Sequence, residues 1–122
     1  IMKSNYVVLG ASDKEDRYSY KALVLLKEHG FNVIPIHPQL KTIENIPVKE
    51  SLDKVTEKID TITVYVGPQI SKTLVLDFVR IKPKRIIFNP GAENSQIYNV
   101  LKDAGINIIE ACTLVMLNTG QI

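Results

Sequence analysis

The chain has 122 residues, 45% hydrophobic and 23% charged, with a net charge of +2 and one cysteine. That is the make-up of one globular domain, able to bury roughly two-thirds of its unfolded surface. It gives no bulk-charge argument for nucleic acid or an anionic membrane, permits no intramolecular disulfide, and contains no apolar run near the ~20 residues of a membrane span.

Residues 1–122 are therefore expected to form a single domain. No signal peptide is recognisable, so a cytoplasmic location is expected. Ile1, ahead of Met2, is read as extraneous to the fold. Tyr6 to Leu9 is a continuous apolar run and predicts a strand buried on both faces. It leads into Gly10-Ala11-Ser12 and a polar loop carrying Lys14 and Arg17. Glycine lets backbone come close to a ligand. The following helix points free N–H groups and its positive dipole end at an anion. Tyr18, Ala22, Leu25, Leu26 and His29 share one helical face and predict a core-facing stripe, which Gly30 closes.

Asn32 to Ile36 is the second predicted strand, closed by His37-Pro38. Residues 39–58 are polar and mixed, with one short helix expected over Ser51 to Val55. The β-branched and aromatic run Thr61 to Val66 predicts the third strand. Gly67-Pro68 opens a helix whose expected buried face is Ile70, Leu74, Phe78 and Ile81, with Pro83 as its stop. Arg85 to Phe88 is the fourth strand and Asn89-Pro90-Gly91 the turn after it. Ile97, Val100, Leu101 and Ala104 mark a further helix, capped by Gly105; Ile106 to Ile109 is the fifth strand. Ala111 to Leu117 predicts an apolar tail of one or two helical turns that caps the core. Residues 27–34 and 102–109 echo each other as helix end, glycine, strand, which reads as repeated turn chemistry.

Strands alternating with helices over short connections predict an α/β three-layer domain, a five-stranded parallel sheet with helices on both faces. In such a sheet ligands bind beyond the carboxyl ends of the strands, where strand order reverses. A dinucleotide fingerprint wants glycine at its first, third and sixth positions; here they hold Gly10, Ser12 and Glu15. A nicotinamide cofactor also meets an acid after the second strand, or an arginine if the ribose is phosphorylated. This chain has His37-Pro38-Gln39 there, and its nearest cation is Lys41. Ordinary nicotinamide cofactors are disfavoured.

The chain resembles the small stand-alone CoA-binding proteins, whose Rossmann-like domain is similar to the CoA-binding N-terminal domain of the succinyl-CoA synthetase alpha subunit. The matching pieces are Gly10-Ala11-Ser12, Arg17-Tyr18-Ser19, His37-Pro38 in place of the usual Asn-Pro, Val66-Gly67-Pro68, Asn89-Pro90-Gly91-Ala92, and the tail Ala111 to Met116. The resemblance covers essentially the whole chain. It implies a coenzyme A or acyl-CoA ligand. The Gly10–Ser12 loop and first helix start would receive its phosphates. Pro38 and the third-strand end would flank its adenine-ribose or pantetheine part. It does not imply catalysis, because the phosphorylated histidine and ligase machinery of the synthetase lie outside this domain.

The candidate ligand residues are thus Gly10, Ala11, Ser12, Lys14, Arg17, Tyr18, Ser19, His37, Pro38, Val66, Gly67, Pro68, Asn89, Pro90, Gly91 and Cys112. Several have plain structural readings: Ser19 as a helix start, Lys14 and Arg17 as solvated charges, His29 as a helix-end cation, and Cys112 as a small buried hydrophobe. Two His and one Cys at scattered positions give no metal spacing. Glu93 and Glu110 are the acids at strand ends, and no acid–base pair emerges. The expectation is a binder of a small nucleotide ligand without chemistry of its own. Two rivals remain. One is a small redox or acyl-transfer enzyme using Cys112, with His37 as the available activating base. The other is a regulatory or scaffold protein with a vestigial cleft, presenting Leu114 to Leu117 to a partner.

Overall fold

The computed structural model describes residues 3–122, and Ile1 lies outside the described residues. Five strands form the main sheet: β1 (Asn5–Leu9), β2 (Asn32–Ile36), β5 (Thr61–Val64), β6 (Arg85–Phe88) and β7 (Asn107–Glu110). Their order is β2-β1-β5-β6-β7, and every pair is parallel. The apolar runs are continuous because the sheet is covered on both sides. Tyr6 and Val8 of β1 pack with Leu23 and Leu26 of α1 (Tyr18–Glu28) and Leu117 of α5 (Thr113–Asn118). Val7 and Leu9 point the other way, towards Phe78 of α3 (Val75–Ile81) and towards Ile97 and Leu101 of α4 (Ser95–Asp103). The expected α/β three-layer, Rossmann-like architecture is what the chain adopts.

The strand order places β1 and β5 side by side at the centre. From β1 the chain moves outward to β2; from β5 it moves outward in the opposite direction. The reversal opens a crevice above the carboxyl ends of these two strands.

The ends of α1 and α4 are built from one repeated device. The amide of Gly30 bonds the carbonyl of Lys27 and that of Phe31 bonds Leu26; Gly105 and Ile106 bond Lys102 and Leu101 in the same pattern. Both are Schellman caps, which accounts for the echoed segments.

Four features differ from expectation. The buried face of α1 is Ser19, Ala22, Leu23 and Leu26; Tyr18 is 65% exposed and His29 is also outward. Packing of α1 against β1, β2 and α5 turns the stripe by one residue, so that Ser19 and Leu23 face inward and Tyr18 outward. Ile70 and Val100 are solvent-facing rather than core. The predicted helix from Pro68 breaks into α2 (Pro68–Ser71), a 3₁₀ turn (Lys72–Leu74) and α3. A hairpin of β3 (Thr42–Ile43) and β4 (Ile46–Pro47) occupies part of the polar stretch. Its two turn residues, Glu44 and Asn45, both have positive φ, a turn usually written with glycine. Tyr20 hydrogen-bonds the Glu44 carboxylate and Lys27 Nζ donates to the Glu44 carbonyl at 3.1 Å, which holds the turn against α1. The Ser51–Val55 segment does contain the expected single turn, a 3₁₀ helix at Leu52–Lys54.

Candidate functional site

A cleft of about 700 Å³ sits at the strand-order reversal. Its walls are Gly10 to Lys14, Asp16 to Ser19, then His37, Gln39, Leu40 and Tyr65. The floor requires glycine. Gly10 has φ +87, and a Cβ there would lie 3.0 Å from Val66 Cγ1 and 3.3 Å from the Tyr65 carbonyl carbon. Backbone of β1 thus passes directly against the end of β5, and no side chain fits between them. The Ala11 amide, bonded to the Ile36 carbonyl at 3.1 Å, fixes the loop to β2. Ser12 Oγ accepts the Lys14 amide at 3.0 Å and shapes the next turn.

α1 begins at the cleft wall. Arg17 is its N-cap and offers no side-chain hydrogen bond to the first turn. Early amides of α1 therefore lack the usual capping oxygen on the side where Tyr18 and Ser19 line the cleft. The charged side chains on the wall cancel: Asp13 and Asp16 against Lys14 and Arg17. Attraction for an anion here falls to backbone N–H groups, the helix dipole and neutral donors.

The opposite wall is a turn organised by an imidazole. His37 Nδ1 accepts the amides of Gln39 and Leu40, each at 3.0 Å. Those two bonds require a lone pair on Nδ1, so the ring proton is on Nε2. This is what an Asn or Asp oxygen does in an Asx turn. Among the described residues Nε2 has no hydrogen-bond partner. Tyr65 closes the back of the cleft. Its hydroxyl is buried beside Thr63 and Thr113, whose own hydroxyls are paired with each other. Burial pushes that phenol up to about 12, with the two threonines acting in the opposite direction.

The structure brings Gly10, Ala11, Ser12, Lys14, Arg17, Tyr18, Ser19 and His37 together on this one cleft. The other sequence candidates lie outside its lining. Pro38 is exposed beside His37. Val66 packs beneath Gly10, Gly67 is the N-cap of α2, and Pro68 is its first residue. Asn89 is buried and committed inward. Its Nδ2 donates to Thr63 Oγ1 at 2.7 Å and to the Val64 carbonyl at 2.9 Å, and its Oδ1 accepts the Thr113 amide at 2.8 Å. Thr63 and Thr113 hydroxyls close the network at 2.8 Å. Pro90 and Gly91 are exposed on the following turn, where the Gly91 amide meets Glu93. Cys112 is a half-buried free thiol at the start of α5. Sequence reasoning missed Asp13, Asp16, Gln39, Leu40 and Tyr65. Tyr65 follows Thr61 and Thr63 at strand spacing, which puts it on the α1 side of the sheet and was a usable signal.

Met116 and Leu117 of α5 are buried, so the apolar tail covers the core as expected, although Val115 is 54% exposed. Among the described residues, no cluster of three His, Cys, Asp or Glu is placed to hold a metal ion. No helix among them is long and apolar enough to cross a membrane.

The chain is similar to several known proteins. A family model described as "CoA binding domain" matches residues 4–118. An uncharacterized protein, YneT of Bacillus subtilis, is 24% identical over 102 residues, covering 84% of this chain and 76% of its own. The crystal structure of another uncharacterized protein superimposes with a TM-score of 0.92, at 34% identity over 100% of both chains. The dinucleotide-forming acetyl-coenzyme A synthetase 1 of Ca. Korarchaeum cryptofilum, in complex with phosphate and ADP, aligns with a TM-score of 0.73 at 19% identity. That match covers 88% of this chain and 25% of the synthetase.

Proposed function

This chain belongs to the CoA binding domain family, and from that premise we propose that it binds coenzyme A or an acyl-CoA in the cleft between β1, α1 and the 37–40 turn, without catalysis of its own. One observation carries the reading. The Gly10 floor and the uncapped start of α1 open onto the same cleft of about 700 Å³, where the sheet order reverses. That volume suits a nucleotide-sized ligand. Backbone amides and a helix dipole, rather than net positive charge, would receive the diphosphate.

His37 supports binding over chemistry. Its one ring lone pair is committed to two backbone amides, so the imidazole is not free to act as a general base. The same commitment removes it as an activator of Cys112, which lies outside the cleft lining. The matching protein is named an acetyl-coenzyme A synthetase, and most of its length lies outside the shared domain.

Titration calorimetry with CoA, NAD and ATP tests the proposal. CoA should bind at one site per chain and NAD should bind far more weakly. Absence of heat with CoA, on protein shown to be folded, would sink it.

A further inference from the structure

Resting on the CoA reading above, we infer that His37 reads a phosphate on the ligand's ribose, so that the cleft selects a ribose-phosphorylated nucleotide over one with a free ribose diol. The position matters first. His37 directly follows β2, the place where dinucleotide sites put an acid to accept from ribose hydroxyls. A carboxylate there accepts; it repels a phosphate. His37 has the reverse polarity. With Nδ1 fixed as acceptor for the Gln39 and Leu40 amides, the neutral ring can present only an N–H donor at Nε2. Two backbone bonds hold the ring in place, so the donor is oriented before a ligand arrives.

The charge pattern makes this donor count. Asp13 and Asp16 offset Lys14 and Arg17 on the α1 wall, leaving no surplus cation to bind a second phosphate group. Helix and glycine-loop amides serve the diphosphate on that wall. A ribose phosphate on the β2 side would meet His37 Nε2–H. Donation to a charged oxygen is stronger than to a hydroxyl, and that supplies the preference.

The test compares CoA with 3′-dephospho-CoA on the wild-type chain, His37→Asp and His37→Asn. Both replacements keep a side-chain oxygen able to accept the Gln39 and Leu40 amides, so the turn survives. The wild type should bind CoA more tightly than dephospho-CoA by on the order of tenfold or more. His37→Asn, with an amide donor, should keep a reduced preference for CoA. His37→Asp should invert the ratio, because its carboxylate repels phosphate and accepts from the diol. The ratio of two ligands on one variant is insensitive to a general loss of stability. Equal wild-type affinities, or an unchanged ratio in His37→Asp, overturns the inference and leaves CoA binding standing. Failure of both ligands to bind the wild type overturns the CoA reading and this inference with it.

Discussion

At the scale of single residues, two positions separate structural from ligand roles. Gly10 combines a left-handed backbone with close approach of Val66 and Tyr65. Gly10→Ala should cost about 1–3 kcal/mol, from the positive φ and from the displaced strand end. Urea denaturation should show a lower midpoint with an unchanged m-value, and CoA affinity should fall with it. Tyr65 carries a phenol whose proton is held to about 12 by burial, while the unfolded phenol titrates near 10. Between those values the unfolded chain binds fewer protons, so this contribution is intact below about pH 10 and is lost as pH rises towards 12. Tyr98, raised chiefly by burial and also by Glu110, acts in the same direction. Tyr65→Phe should shallow the alkaline decline without abolishing it. Because the Thr63 and Thr113 hydroxyls beside it are already bonded to each other, and Thr63 also to Asn89, the buried phenol gains little from them and the variant should be no less stable at neutral pH. Thermal melts from pH 7 to 12 would show both effects.

Among the elements, α1 carries an unusual compromise. Its body is anchored by Leu23 and Leu26, its far end by a Schellman cap, yet its start lacks a side-chain cap. Arg17→Ser would supply the missing oxygen. The variant should raise the stability of the ligand-free protein by about 0.5–1 kcal/mol. It should also lower CoA affinity by roughly tenfold, since a cation is lost and a first-turn amide becomes occupied. Opposite signs from one substitution distinguish a site built for an anion from a helix end that is merely imperfect. Calorimetry and melting of the same sample measure both.

For the whole molecule, the sheet was legible because strands buried on both faces leave continuous apolar runs, and Gly30 and Gly105 mark the turns that separate them. The Gly10 loop was legible for a related reason: a glycine after a buried strand has few other uses. The faces of α1 were harder. Ala22 and Leu26 belong to both possible stripes, and tertiary packing against β1, β2 and α5 selects Ser19 and Leu23 over Tyr18. The hairpin was hidden because Glu44 and Asn45 adopt a glycine-like turn under contacts from Tyr20 and Lys27, residues about twenty positions away. Asn89 shows the limit most clearly. A polar residue at a strand end reads equally as a ligand contact or as an internal latch, and the folding back of α5 commits its side chain inward.

That latch sets how the molecule opens. A six-residue helix would normally exchange its amide protons freely with solvent, independently of the core. Here the Thr113 amide is tied to Asn89 in a fully buried setting, and Asn89 is tied to β5. Deuterium should therefore enter Thr113 as slowly as it enters Ile86 and Ile87, placing the start of α5 in the same cooperative unit as the central sheet.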